Sequence, residues 1–128
     1  MKINELDLVA LNENNEYALA TLALLKKNGI KRVSFPMYKG MLGKRDISEM
    51  ELSQRAFNSL KRAGISTVGE LSDFASCREN LQRIRNLGVR TAIEIQLKLY
   101  LFQYGILSPE KRAKFLTDVV EMSVHEAA

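Results

Sequence analysis

The sequence is poor in the residues that cross-link a fold or hold a metal. Its 128 residues include one cysteine, Cys77, and one histidine, His125 near the C-terminus. One thiol cannot form a disulfide framework, and these two side chains cannot supply the four ligands of a structural zinc site. We therefore expect no disulfide, no metal and no cofactor, with Cys77 as a small polar residue and His125 in a solvated tail.

Long apolar runs are also absent. No stretch of about 18 apolar residues is available to span a membrane. The N-terminus carries Glu5 and Asp7 where a secretory signal needs basic and then apolar residues. These features predict a cytoplasmic protein with no membrane contact.

No catalytic set stands out in the sequence. A carboxylate pair at metal-ligand spacing, a nucleophile with its base, and a phosphate loop ending in Gly-Lys-Ser/Thr are all lacking. We therefore predict that the protein is not an enzyme.

The middle of the sequence is basic. Between residues 53 and 90, seven bases face three acids, an excess of four that equals the formal net charge of +4 of the whole protein. Six of these bases are arginine, whose planar guanidinium suits phosphate groups and base edges. The pattern indicates a nucleic-acid partner, and charge alone is equally compatible with an ordinary solvated surface.

Apolar spacing, capping residues and glycines predict helices joined by short connections. Helices are expected at 15–28, at 53–63 with Ser53 as cap and Gly64 as stop, at 68–74 with Thr67 as cap, as a short turn within 76–85, as a long helix after Gly88, and from Pro109 onward. A loop with one brief strand is expected after Gly29, followed by a linker at 43–46. The predicted fold class is all-α, with a compact domain of four to five helices.

The long helix needs a separate argument, because residues 93–101 alternate apolar and polar as a strand would. Its helix-forming composition, its length and the lack of a second strand to pair with favour a helix. Such a helix would be apolar around most of its circumference, so we expect burial on more than one side. One side would receive the N-terminal helix, whose Leu22, Leu24 and Leu25 also need cover.

Two further features leave alternatives open. The helix after Pro109 carries Phe115, Leu116, Val119 and Val120 on one face, which we expect to be core rather than a partner surface. The stretches LKKNGIKRV and LKRAGISTV share a frame at a separation of 35 residues. This similarity indicates either a duplication or a common way of ending a helix with glycine.

Candidate contact residues lie on one helix and in one turn. On the helix 53–63, Arg55, Asn58 and Arg62 share a stripe that is distinct from the packing stripe of Ala56, Leu60 and Ala63. Asn86 and Gly88 precede the long helix, whose first N–H groups have no internal partners and attract anions. The positive charge of Arg90 is unfavourable at that helix N-terminus unless an anion lies between Arg90 and the free N–H groups. Thr91 adds a hydroxyl donor at the same place. A plain turn with exposed polar residues is the alternative.

Several blocks of sequence occur in a recognisable order within 47–107. The blocks ELSQRAFNSLKRAGISTVGEL, IRNLGVRTAIEI and GIL resemble the C-terminal domain of the bacterial RNA polymerase alpha subunit. The resemblance implies a helical fold with a helix-hairpin-helix-like element that binds A·T-rich DNA upstream of promoters through the minor groove. It also implies contacts with sigma factor and transcription activators. The resulting division is an extension at 1–45, the DNA-binding domain at 46–107, and a helix and tail at 108–128.

The resemblance assigns roles to particular residues. It places the minor-groove arginine at Arg55 with its partner at Asn58, and the phosphate contacts at Asn86, Gly88, Arg90 and Thr91. Arg90 stands where the family usually has lysine, and both residues keep the cation. The acids that help to face sigma factor correspond to Glu49 and Glu51, while Ser48 stands where a third acid is common.

The sequence also departs from the family. Val89 replaces what is often a second lysine, and the connection before Asn86 and the last helix are slightly longer than usual. We expect the protein to lack the large N-terminal assembly domain of the alpha subunit, because only residues 1–45 precede the resembling segment. We therefore expect a protein that neither dimerises nor nucleates polymerase assembly as an alpha subunit does.

Three functional hypotheses follow from the sequence. The first is a free-standing DNA-binding transcription module on the nucleoid, with A·T-rich double-stranded DNA as partner and with RNA polymerase, sigma factor or an activator as further partners. The second is a protein-interaction module of the transcription machinery that kept the fold without strong DNA binding. The third is an accessory domain of a DNA-processing enzyme, because related hairpins occur in nucleases and repair proteins.

Overall fold

A computed structural model describes residues 2–7, 17–75 and 77–127. In sequence order its elements are β1 (Lys2–Asp7), α1 (Tyr17–Lys27), β2 (Arg32–Met37), α2 (Lys39–Leu42), a 3-10 turn (Ile47–Met50), α3 (Gln54–Arg62), α4 (Val68–Phe74), α5 (Arg78–Leu81), α6 (Val89–Ile106) and α7 (Pro109–Ala127). The expected starts of helices at Asn15 and Ser76 lie outside the described residues. Within these ranges, the helices lack the combination of length and apolar character that a transmembrane span requires.

Capping side chains set the starts of α3 and α4, as predicted. The Ser53 hydroxyl accepts the N–H of Ala56 at 3.2 Å. Thr67 and Glu70 form a reciprocal capping box, in which the Glu70 N–H donates to the Thr67 hydroxyl and the Thr67 N–H donates to the Glu70 carboxylate. The backbone N–H groups of Thr67 and Ser66 both donate to the Glu70 carboxylate and lower the pKa of Glu70.

The predicted brief strand is β2, and it pairs with a strand that was not predicted. β1 and β2 run antiparallel, in a register from Lys2 opposite Met37 to Asp7 opposite Arg32. The all-α prediction is therefore confirmed for the helical domain, while the protein as a whole adds a two-stranded sheet. The argument that no second strand exists was wrong, but the two strands pair with each other and leave α6 helical.

α6 is the central element of the structure. Its buried residues are Ala92, Ile93, Ile95, Gln96, Leu99, Tyr100 and Gln103. These residues point in several directions around the helix, which confirms the predicted burial on more than one side. The helix continues through Gly105 to Ile106, one residue beyond the glycine that was expected to follow it.

The N-terminal helix and the last helix pack against α6 and the sheet. The Tyr100 hydroxyl donates to the Ala18 carbonyl oxygen at 2.9 Å, and the Tyr100 ring lies 5.6 Å from that of Phe115. Phe115 and Val119 are fully buried, and Leu116 and Val120 pack against the same core, so the expectation that α7 supplies core is confirmed. One apolar cluster thus extends from α1 to α7.

One expected core residue of α1 is exposed. Leu22 and Leu25 are buried, but Leu24 is 57% exposed. Positions 22 and 25 lie three residues apart on one face of the helix, while position 24 points away from that face. The prediction that Leu24 is covered within the protein was therefore wrong.

The segment 43–46 is held against the start of α4. The Gly43 carbonyl accepts the N–H of Gly69 at 3.2 Å, and the Arg45 carbonyl accepts the N–H of Val68 at 2.8 Å. Asp46 and Thr67 form an isolated β-bridge. The expected linker is therefore hydrogen-bonded backbone, and the division of the protein at 45 and 107 stays a prediction.

The repeated Gly-Ile frame ends two helices in the same way. Gly29 and Gly64 have φ of +83° and +81°. The following Ile30 and Ile65 donate their N–H groups to the carbonyls of Leu25 and Leu60 at 3.1 and 3.0 Å, which is the Schellman pattern of helix termination. A strand follows in the first case and a helix in the second. The structure thus favours a shared helix ending over a duplication.

Candidate nucleic-acid interface

The stripe predicted on α3 is exposed. Arg55, Asn58 and Arg62 all face solvent. Ala56 and Leu60 are fully buried beneath them. Ala63 was expected to pack but is exposed, and Ser59 is buried instead. The reason is that Ala63 lies at the C-terminal cap, where the backbone turns away through Gly64.

A carboxylate of α6 binds the N-terminus of α3. Glu94 accepts the backbone N–H of Ser53 at 2.7 Å and the Ser53 hydroxyl at 2.8 Å. A carboxylate is favoured at this position because the helix dipole is positive there. The contact orients the helix that carries Arg55 relative to the start of α6.

The turn before α6 leaves a helix N-terminus open. Asn86 has φ of +65°, a left-handed conformation that asparagine adopts more readily than most residues. Leu87 is buried and anchors the turn, and Gly88 caps α6 without a side chain. The first turn of α6 contains no acidic residue. Its first N–H groups therefore point to solvent without a carboxylate to neutralise them.

Arg55, at one end of the stripe, and the turn meet in one open depression of about 640 Å³. Its lining residues are Arg55 and every residue from Gln82 to Thr91. The structure thus brings together Arg55, Asn86, Gly88, Arg90 and Thr91. Asn58 is not among the lining residues, and its side-chain oxygen accepts a hydrogen bond from the Gln54 amide at 2.8 Å.

The depression is strongly basic. Four of its lining residues are arginines, and none is acidic. Within the described part of the protein, these arginines take part in no ion pair; the pairs found there involve Arg32, Arg45 and Lys114. The arginine charges are therefore available to an external anion.

Arg83 and Arg85 were not among the predicted contact residues. Both line the depression and both are exposed. The stretch QRIRN places two arginines alternately around Ile84 directly before Asn86, which is a pattern that could have identified them. Ile84 between them is buried and anchors the segment in the core, while the two arginines on either side of it point to solvent.

The two acids assigned to protein contacts differ in their surroundings. Glu49 accepts hydrogen bonds from the Arg45 guanidinium at 2.7 and 3.1 Å, which lowers the pKa of Glu49. The Arg45 guanidinium also lies 5.7 Å from the centre of the Phe102 ring. Glu51 is exposed at the C-terminal cap of the 3-10 turn, with φ of +56°. Neither acid lines the basic depression.

Metal-binding clusters are not found among the described residues, where no three His, Cys, Asp or Glu side chains converge. Cys77 is half-buried at the start of α5, and His125 is exposed on α7.

Comparison with known families places the basic depression inside one domain. Residues 40–100 match the family model of the C-terminal domain of the bacterial RNA polymerase alpha subunit. This segment is an alpha C-terminal-like domain. The resemblance seen in the sequence is thereby confirmed, and α3, the Asn86 turn and most of α6 lie inside the match. The family is DNA-binding and transcription-related rather than catalytic, which for residues 40–100 agrees with the prediction that the protein is not an enzyme.

Curated relatives match the alpha C-terminal-like domain over part of their length. The DNA-directed RNA polymerase subunit alpha of Syntrophomonas wolfei is 55% identical over 53 residues, which are 41% of this protein and 16% of that subunit. The subunit of Rubrobacter xylanophilus is 41% identical over 64 residues, or 50% of this protein and 20% of that subunit. The match therefore spans a fifth or less of these relatives. No solved structure matches the protein significantly.

Proposed function

We propose that the alpha C-terminal-like domain binds A·T-rich duplex DNA, with Arg55 in the minor groove and the N-terminus of α6 on a backbone phosphate. The observation that carries this proposal is that Arg55 and the open N-terminus of α6 line the same acid-free depression. The family match supports a DNA-binding role in transcription.

A·T-rich DNA suits an exposed arginine for an electrostatic reason. The minor groove of A-tracts is narrow, which strengthens its negative potential and attracts an inserted guanidinium. Readout of this kind follows groove width more than base identity. Arg55 would therefore supply the preference for A·T-rich sequence.

The start of α6 would supply affinity without sequence preference. Open N–H groups at a helix N-terminus bind phosphate oxygens, and the helix dipole adds to the attraction. Arg90 and Thr91 add a cation and a hydroxyl beside those N–H groups, and Gly88 keeps side-chain atoms out of the space. A phosphate here explains why an arginine occupies the first turn of α6, where it is unfavourable for the isolated helix.

Fluorescence anisotropy with A·T-rich and G·C-rich duplexes tests the proposal. For the wild type we expect tighter binding to the A·T-rich duplex, with a slope of log K against log salt of about −3. Arg55→Ala should lower affinity by about 1–3 kcal/mol and reduce the preference for A·T-rich DNA. Arg90→Ala should weaken binding to both duplexes alike. Lys111→Ala on α7 is the control, and identical titrations for wild type and Arg55→Ala would contradict the proposal.

The partners and location belong to the same proposal. RNA polymerase, sigma factor or a transcription activator are the protein partners that the family suggests, and the cytoplasmic nucleoid is the corresponding location. Binding of purified polymerase to the wild type in the presence of the A·T-rich duplex is the direct measurement.

A second candidate function is a protein-interaction module of the transcription machinery. It is favoured by an apolar groove of about 580 Å³ between α1 and α7, where the exposed Leu24 lies beside Tyr104 and Leu116. Against a role for the acidic pair, Glu49 is already engaged by Arg45. The test is a pull-down of purified polymerase by the protein after nuclease treatment. Binding by the wild type, loss of binding in Leu24→Asp and no measurable DNA binding would together support this second function.

A further inference from the structure

A second basic depression adjoins the first one. It has a volume of about 370 Å³ and is lined by Ser59, Arg62, Ala63, Ile84, Arg85 and Asn86. Three of these residues, Ile84, Arg85 and Asn86, also line the first depression. The exposed Asn86 turn therefore separates two neighbouring basic surfaces, neither of which has an acidic residue in its lining.

Arg62 and Arg55 are related by the geometry of α3. Both are exposed on one stripe, seven residues apart, which corresponds to about 10 Å along the helix axis. The minor groove of B-form DNA is about 6 Å wide and has a phosphate backbone on each side. An arginine about 10 Å from one that enters the groove is therefore at the right distance to meet a flanking backbone.

We propose that Arg62 and Arg85 together bind a backbone phosphate on the strand opposite the one that contacts the N-terminus of α6. This inference rests on the proposed function, because it takes Arg55 as the residue in the groove. The two depressions then serve the two backbones that border the groove, with the Asn86 turn between them.

The charges of Arg62 and Arg85 support this assignment. Within the described ranges neither guanidinium has a carboxylate partner, and both side chains are exposed. Their attachment points differ: Arg62 lies in the last turn of α3, and Arg85 follows the buried anchor Ile84. Two cations held on separate elements around one depression suit a single anion that bridges them.

The double variant Arg62→Gln/Arg85→Gln tests the assignment. Its slope of log K against log salt should be shallower by about 1 than that of the wild type, because one phosphate contact is lost. The ratio of A·T-rich to G·C-rich affinity should stay unchanged, since Arg55 is retained. In ethylation interference, the wild type should show blocked phosphates on both strands across the groove. The double variant should lose the interference signal on one strand, and Arg90→Ala should lose the signal on the other strand.

The matched control is Lys26→Gln/Lys27→Gln, which removes the same charge from exposed positions at the end of α1. It should keep the salt slope and both interference signals. If the double variant keeps the wild-type salt slope and the interference signals on both strands, the second phosphate site does not exist. In that case, loss of the interference signal on one strand in Arg90→Ala would still support the proposed function. If the wild type shows no salt-dependent DNA binding, both proposals fail. A change in the A·T to G·C ratio would also overturn the inference, because it would place these arginines in sequence readout.

Discussion

Ser53 and Glu94, 41 residues apart, form hydrogen bonds that join the two parts of the proposed DNA-binding surface. The Glu94 carboxylate on α6 accepts both the backbone N–H and the hydroxyl of Ser53, the cap of α3. The same Ser53 hydroxyl accepts the N–H of Ala56. One serine thus ends the preceding segment, starts α3 and fixes α3 to the helix that begins at the Asn86 turn.

Replacing Glu94 should loosen this attachment. Glu94→Ala removes the carboxylate from the N-terminus of α3, and we expect the free energy of unfolding to fall by about 1–2 kcal/mol. DNA affinity should fall as well, because Arg55 loses its fixed position relative to the turn. Urea unfolding and anisotropy titration measure the two effects. Glu121→Ala, an exposed substitution on α7, should change stability by less than about 0.5 kcal/mol, and equal losses in both variants would argue against a specific role for Glu94.

Gly88 offers a substitution that separates folding from binding. Its backbone angles, φ of −85° and ψ of 179°, suit any residue, and an added Cβ would meet no atom within 4 Å. Gly88→Ala should therefore unfold at the same urea concentration as the wild type. The new methyl group would occupy the space beside the proposed phosphate, and DNA affinity should fall about tenfold, or ~1.4 kcal/mol. If the variant is fully stable and its DNA affinity is unchanged, no phosphate binds at this helix end.

Gly69 and Gly105 form a matched pair for testing the attachment of segment 43–46. A Cβ at Gly69 would lie 2.7 Å from the Gly43 carbonyl oxygen and 2.9 Å from the Gly43 Cα, both backbone atoms that cannot move aside easily. Gly69→Ala should lower the free energy of unfolding by about 1–3 kcal/mol. Gly105→Ala meets nothing within 4 Å and should raise it by about 0.5–1 kcal/mol, because alanine is the better helix former. Thermal unfolding of both variants gives the comparison, and equal melting temperatures would contradict it.

Glu79 predicts a dependence of stability on acid pH. Its own backbone N–H, the Arg32 guanidinium at 2.6 Å and the Cys77 thiol lower the pKa of Glu79 from 4.5 to about 2. A carboxyl whose folded pKa is depressed stabilises the fold above its unfolded pKa, and this contribution is lost as pH falls through the folded value. The difference in unfolding midpoint between wild type and Glu79→Gln should therefore be largest above pH 4.5 and vanish toward pH 2.

The same comparison at high salt is the control. Both side chains of the Arg32–Glu79 pair are half exposed, so dissolved ions screen the part of the effect that comes from the pair. The difference between wild type and Glu79→Gln should shrink in about 1 M salt, a concentration at which the screening length is about 3 Å. If the difference in unfolding midpoint depends on neither pH nor salt, the charge of Glu79 does not stabilise the fold.

Most helices could be predicted because their ends are local chemistry. Ser53, Thr67, Gly64 and Pro109 act on backbone groups within a few residues, and the observed helix bounds lie where these residues predict them. α6 could be recognised as a helix from its composition despite its alternating pattern. The partner strand β1 was not predicted, because KINELD has no clear apolar alternation and pairs with a strand some 30 residues away.

The candidate site shows the same division. The turn at Asn86 and the stripe with Arg55 could both be recognised from residue type and spacing. Their meeting in one depression depends on packing between α3 and α6, which capping rules do not describe. That Arg85 also lines the smaller depression, together with Arg62 on a different element, could be seen only in the tertiary structure.

The sequence by itself determined where α3, α4 and α7 start, which face of α3 is charged, and that residues 40–100 form an alpha C-terminal-like domain. These properties follow from interactions between residues close together in the sequence, or from the order of motifs along it. Only the tertiary structure decided that Leu24 stays exposed, that Glu49 is engaged by Arg45, and that two basic depressions flank Asn86. Each of these depends on contacts between separate elements, and such contacts form only when burial of the shared core brings those elements together.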